Sequence, residues 1–234
     1  MRNFLKLVAI LAFAASGQAS YAALTFNLDT EFSGGANPAG SPPWVTGTFS
    51  QVDGDTVSLT INATGLSASE FITEFDFNFV PGPALNTLTF TDFSKTGTFD
   101  DPTINAGGVG GLLNQYKADG DGNYDLQFIF ASGGMNPASH RFGDNEIFSL
   151  NINGTGILES GFNSGSVGGD KGSFFMAAHV QGIALTTCND DSGLCDSGWI
   201  GAPIPEPEIY AMIGIGLALM GFVARRRQGQ ATAT

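Results

Sequence analysis

The middle of the chain alternates apolar and polar residues, and this period of two constrains the fold more than any other feature. The clearest stretch is residues 71–79, where Phe75, Phe77 and Phe79 alternate with Asp76 and Asn78. Successive side chains of a β-strand point to opposite faces, so such a stretch predicts a half-buried strand. The same alternation recurs in residues 57–61, 88–90, 124–130, 148–152 and 174–180.

Turn-forming residues separate these segments, and they complete the prediction of the fold class. Glycine, proline, aspartate and asparagine cluster in residues 81–83, 119–123, 133–134 and 165–172. Regularly spaced short strands joined by such turns predict an all-β protein, a β-sandwich of jelly-roll-like type. We expect the phenylalanines to form the facing sides of the two sheets. The sandwich is expected to span residues 23–202, a suitable length for one domain.

The charge of this central region limits its partners. Residues 23–204 contain four basic and twenty acidic residues, a net charge of −16. A surface of this sign repels phosphate backbones, so nucleic acid is excluded as a partner. Divalent cations, basic proteins and neutral glycans remain compatible with it.

Residues 1–22 have the order of a signal peptide. Arg2 and Lys6 precede an apolar run over residues 7–15, which is too short to span a bilayer stably. The small residues Ser20 and Ala22 then precede a cleavage point for signal peptidase. The chain is therefore predicted to be exported.

The segment 203–234 is predicted to be a second membrane signal. Pro205, Glu206 and Pro207 precede residues 209–224, which carry no charge and predict a single transmembrane helix. A basic cluster follows, and basic flanks stay on the cytoplasmic side. That cluster consists of Arg225, Arg226 and Arg227.

This tail resembles the PEP-CTERM sorting signal of Gram-negative bacteria, with Glu208 and Ile209 where the family more often has Ser-Thr. The resemblance implies transient residence in the inner membrane and cleavage by an exosortase near Pro205, Glu206 and Pro207. It also implies deployment at the cell surface or in the extracellular matrix, in association with exopolysaccharide or biofilm. An ordinary C-terminal anchor with a chance proline-rich stem is the alternative.

Two smaller motifs suggest a disulfide and a metal site. Cys188 and Cys195 have six residues between them and lie beyond the last alternating segment, and in an exported protein they predict a local disulfide, with two free thiols as the alternative. Carboxylate and amide oxygens two residues apart resemble the first half of a calcium loop, and the same residues also suit a hairpin turn. These candidate ligands are Asp119, Asp121, Asn123 and Asp125.

No catalytic residues can be assigned, and we expect a non-enzymatic protein with no certain cofactor. His179 lies in an alternating strand, which is typical of a structural histidine. Trp44 and Trp199 lie in proline- or glycine-flanked segments and are the candidates for exposed ligand contacts. A lectin-like glycan-binding module is therefore the alternative function, and a matrix glycoside hydrolase is a third, less favoured one.

Overall fold

The computed structural model describes residues 22–67, 69–80, 82–119, 122–132, 140–183 and 196–204, together with Leu217 and Met220. This described part contains fifteen β-strands: β1 (Leu24–Leu28), β2 (Thr30–Glu31), β3 (Val45–Asp53), β4 (Thr56–Asn62), β5 (Phe71–Phe77), β6 (Thr89–Thr96), β7 (Thr103–Ala106), β8 (Tyr116–Lys117), β9 (Gly122–Tyr124), β10 (Leu126–Ile129), β11 (Phe142–Gly143), β12 (Ile147–Asn153), β13 (Val167–Gly168), β14 (Phe174–Gln181) and β15 (Ser197–Pro203). The described part also contains two short 3-10 turns, Leu85–Thr87 and Glu159–Phe162.

The strands form two large antiparallel sheets and one small one. The first sheet has the order β1-β3-β4-β12-β6, and the second has the order β2-β15-β14-β5-β10-β7, with β11 also paired to β5. The small sheet has the order β13-β9-β8. This arrangement confirms the predicted all-β, sandwich-like architecture, while the jelly-roll-like connectivity stays a prediction. No helix within the described residues is long and apolar enough to cross a membrane, and the segment 209–224 lies outside them except for Leu217 and Met220.

Phenylalanine side chains join the two large sheets. The ring of Phe49 in the first sheet lies 5.4 Å from that of Phe77 in the second. Phe162, on the 3-10 turn, stacks on Phe49 with ring centroids 4.0 Å apart and planes within 10°. All three side chains are fully buried, as the alternating pattern predicted for Phe77. Burying an aromatic side chain of this size stabilises the fold by about 1.5–3 kcal/mol.

The small sheet covers part of the outer face of the second sheet. Ala118 and Tyr124, from the segment that forms β8 and β9, pack there against Phe32, Phe174 and Ala177. As a result the strand β5 is buried on both faces, whereas the sequence predicted a half-buried strand. Asp76 and Asn78 on its outer face are 0% and 1% exposed.

The strand register places named residues at the two ends of the sandwich. Pro203 pairs with Phe174, Met176 with Phe77, and Phe77 with Leu126, which in turn lies opposite Ala106. The carboxyl ends of β5, β7 and β15 therefore lie at one end of the second sheet, which we call the exit end. The opposite end, which we call the far end, contains the start of β5 and β15 and the carboxyl end of β10.

The contact between the sheets can be tested at Phe49. We expect Phe49→Ala to lower the free energy of unfolding by about 3–5 kcal/mol, because it leaves a cavity against two other rings. Phe93→Ala is the matched control, since that side chain is 43% exposed and should cost about 1 kcal/mol or less. Urea denaturation followed by tryptophan fluorescence measures both, and equal losses would contradict the proposed role of the inter-sheet contact.

Candidate functional site

The fold holds the chain up to the residue before the predicted sorting motif. Pro203 ends β15 opposite Phe174, and the backbone N–H of Ile204 donates to the carbonyl of Ser173 at 3.1 Å. A Cβ at Gly165 would lie 2.1 Å from the Cδ1 of Ile204, so a larger residue there would require the Ile204 side chain to shift. The motif thus begins directly where the hydrogen-bonded body ends.

Several predicted site residues lie outside the described residues. These are the signal peptide up to residue 21, the cysteines Cys188 and Cys195, the tripeptide Pro205, Glu206 and Pro207, and the basic residues Arg225, Arg226 and Arg227. The predictions of cleavage, disulfide and topology therefore stay predictions.

The candidate calcium ligands that the structure describes have separate environments. Asp125 is 1% exposed, and its two carboxylate oxygens accept the backbone N–H groups of Asn114 at 2.7 Å and Phe79 at 3.2 Å. Since Lys117 pairs with Asn123, Asp119 lies in the turn of the hairpin and Asp125 lies beyond its other end. The described geometry gives Asp125 a structural role. Asp121 lies outside the described residues, and calcium binding stays a prediction.

Trp44 does not have the exposure that its sequence context suggested. Its side chain is 6% exposed and belongs to the main core. Its Nε1–H donates to the carbonyl of Gly40 at 3.0 Å, which satisfies the only polar atom of the ring. The prediction of an exposed contact was therefore wrong for Trp44, because the proline-rich segment folds back onto the sandwich.

Trp199 is half-buried, and its ring stacks on His179 of the neighbouring strand. The centroids lie 4.9 Å apart with planes within 19°, and the two residues pair directly in the sheet. This separation equals the spacing of adjacent strands, about 4.8 Å. The ring faces therefore point along the sheet and the ring edges point outward. Such an orientation suits packing better than stacking on a sugar.

A polar cluster that the sequence analysis did not single out lies beside this pair. Glu74 accepts a side-chain hydrogen bond from Gln127, and the buried carboxyl group of Asp76 lies on the same face of the strand. Burial raises the pKa of Glu74, and the hydrogen bond from Gln127 partly offsets that shift. Burial and the charge of Asp76 raise the pKa of Tyr116. The signal in the sequence was the pair of acids two positions apart, which one face of a strand brings together.

Arg141 lies in a cleft of about 420 Å³ at the far end, lined also by Glu70, Phe71 and Glu146. Its guanidinium carbon lies 4.4 Å from the centre of the Phe71 ring. Its buried Nε–H has no hydrogen-bond acceptor among the described residues. Glu70 is committed elsewhere, because its two oxygens accept the N–H groups of Ala39 and Ser67. The cleft therefore holds one cation beside the acidic side chains of Glu70, Asp144 and Glu146.

The stacked histidine provides a test in pH. Burial lowers the pKa of His179 below its ordinary 6.5, and the charges of Asp119 and Asp196 oppose that shift. The unfolded chain therefore takes up this proton at a higher pH than the folded chain does. The contribution of the neutral imidazole to the free energy of unfolding is fully present above pH 6.5 and is lost as the pH falls through the pKa of His179 in the folded chain. Unfolding free energies between pH 7.5 and 5 should fall less for His179→Gln than for the parent; parallel curves would contradict this.

The comparisons with known proteins find one match. A family model described as the PEP-CTERM protein-sorting motif matches residues 203–227. No curated protein and no solved structure matches the chain. The matched segment begins at the last residue of β15 and includes the Pro-Glu-Pro tripeptide and the arginine cluster. The chain therefore carries a PEP-CTERM sorting motif, as its tail predicted, and is an exosortase-sorted extracellular protein.

Proposed function

We propose that this protein is a non-enzymatic component of the bacterial cell surface or extracellular matrix, associated with exopolysaccharide or biofilm. Export begins at the signal peptide, residues 209–224 hold the chain in the inner membrane, and an exosortase cleaves it near Pro205, Glu206 and Pro207. The observation that carries this proposal is the sorting motif at residues 203–227, whose Pro-Glu-Pro tripeptide directly follows the hydrogen-bonded Ile204.

The chemistry of the tail supports this route. Sixteen uncharged residues form a helix about 24 Å long, which is somewhat shorter than the roughly 30 Å hydrocarbon core. Arginine side chains that extend to the headgroups make up the difference. Pro205 and Pro207 disfavour a helix between the sandwich and the membrane. An extended segment of this kind is accessible to a membrane protease.

The described carboxylates support a role without catalysis. A glycoside hydrolase needs two carboxyl groups that both reach the substrate. Glu74 and Asp76 lie two positions apart on one face of β5, but Asp76 is fully buried, so the two carboxyl groups cannot both reach a substrate. We therefore assign the pair to the packing of the small sheet on the second sheet.

Processing can be tested at the tripeptide. We expect Glu206→Ala to leave the uncut chain in the inner membrane, because the protease loses the charged side chain that lies between the two prolines. Glu208→Ala is the matched control, since it removes an acid of the same type outside the tripeptide. Membrane fractionation and intact-mass measurement in the native cell distinguish the two. Normal release of the Glu206→Ala protein would refute the sorting route.

Glycan binding is a second candidate function, and the cleft around Arg141 favours it. A guanidinium in a cleft can donate hydrogen bonds to sugar hydroxyls, and the three acidic residues that line this cleft disfavour an acidic ligand, so we propose a neutral saccharide. The packing of the Trp199 ring makes that side chain the weaker candidate for the contact.

A glycan array that contains both neutral saccharides and uronic acids tests this second candidate. Arg141→Gln should lower binding at least about tenfold, which corresponds to the loss of one charged hydrogen bond of about 1.5–3 kcal/mol. Lys171→Gln is the control, because it removes the same charge from an exposed site near the exit end. Equal binding by both variants would show that the cleft around Arg141 is not the glycan-binding site.

A further inference from the structure

Exposed aliphatic side chains concentrate at the exit end of the sandwich. Val109, Leu112 and Leu113 follow β7 there and are 96%, 57% and 48% exposed. Four more side chains at this end are between 46% and 56% exposed, namely Val52, Val80, Leu158 and Val167. Among the described residues of the sandwich, only Phe93 and Ile129 are large exposed apolar side chains elsewhere.

Hydrogen bonds connect these positions to the exit end. The N–H of Val80 donates to the carbonyl of Gly161, and the N–H of Glu159 donates to the side chain of Gln51. These bonds tie the ends of β3 and β5 together through the 3-10 turn that follows Leu158. The N–H of Ser166, next to Val167, donates to the carbonyl of Phe174, which pairs with Pro203.

The loop over residues 107–115 is held in a defined conformation. Within it Gly108 donates to the carbonyl of Leu112, and Gly111 donates to the carbonyl of Gly108. The buried Asp125 accepts the N–H of Gly107 on its backbone carbonyl and that of Asn114 on its carboxylate. The aliphatic side chains of this loop therefore face solvent, because the backbone conformation directs them outward. Exposed apolar groups gathered at one end of a domain indicate a contact surface.

The chain leaves the sandwich at this same end. Ile204 is hydrogen-bonded there, and only five residue steps separate it from Ile209, where the apolar segment begins. Five steps span at most about 17 Å. Leu24, which opens β1, pairs with Phe49 near the carboxyl end of β3, so the mature amino terminus also lies at this end. Both membrane-directed segments are thus attached to the apolar end.

The charges at this end indicate which lipid surface suits it. Residues 102–116 contain no charged residue, although the whole sandwich is strongly acidic. Asp53, Asp55 and Asp170 are exposed nearby, together with the single cation of Lys171. This excess of carboxylates repels anionic headgroups and tolerates zwitterionic ones.

We infer that the exit end of the sandwich docks on the membrane surface before processing, with Val109, Leu112 and Leu113 inserted among zwitterionic phospholipid headgroups. This inference rests on the proposed function, because the segment 209–224 supplies the tether. The aliphatic tip leaves water when it inserts, and the short tether keeps it within reach of the bilayer. The docked body holds the tripeptide at a fixed height above the membrane.

The full chain reconstituted into phosphatidylcholine vesicles tests the inference. A tryptophan introduced by Val109→Trp should show a blue-shifted emission and be quenched by brominated phosphatidylcholine. The matched control is Ile129→Trp, which places the same reporter at an exposed position of the far end. We expect the added fluorescence at position 109 to be quenched at least about twofold more than that at position 129, since Trp44 and Trp199 contribute equally to both.

Each other outcome overturns the inference. Equal quenching at both positions, or none at either, would show that the exit end does not face the lipid. A blue shift at position 109 that depends on protein concentration and occurs without lipid would show that the exit end binds a second copy of the chain and not the bilayer. Failure of the full chain to float with the vesicles would refute the tether of the proposed function and, with it, the docking that rests on it. Release of the Glu206→Ala protein refutes the sorting route by a separate readout, because these vesicles contain no exosortase.

Discussion

The packing of aromatic rings between the two large sheets is the interaction on which the rest of the structure depends. Phe49, Phe77 and Phe162 fix the separation and the lateral position of the sheets. Once the sheets are fixed, the strand register decides which loops share an end. The exit end therefore follows from core packing, although none of its exposed residues belongs to the core.

The layers of this fold could be predicted from the sequence because their signal is local. The alternation around Phe75 and Phe77 identifies a strand and its buried face without any knowledge of its neighbours. The burial of Asp76 could not be predicted, because the small sheet on the outer face of β5 comes from residues forty or more positions away along the chain, such as Tyr116. Trp44 was mispredicted for a related reason: its hydrogen bond to Gly40 depends on how the preceding segment folds back.

The parts of the candidate site also differ in whether the sequence alone could predict them. The sorting signal is linear, so adjacent residues identify it. The acidic residues 119–125 also have a regular spacing, but the paired strands β8 and β9 place Asp119 and Asp125 at opposite ends of a hairpin. Spacing alone could not distinguish a convergent loop from that hairpin. The apolar surface of the exit end could not be predicted from the sequence either, since Val52, Val109 and Leu158 lie far apart along the chain.

Tethering and docking have different consequences once the chain is cut. A few aliphatic side chains give only marginal and reversible membrane binding, comparable with that of a single short acyl chain. While the chain is uncut, the segment 209–224 keeps the tip at a high effective concentration near the lipid, and the weak contact is occupied. Cleavage near Glu206 removes that advantage, so the same contact no longer retains the body. A docking surface that is weak by itself therefore positions the substrate while the chain is tethered. After a single cut, the same surface lets the product leave the membrane.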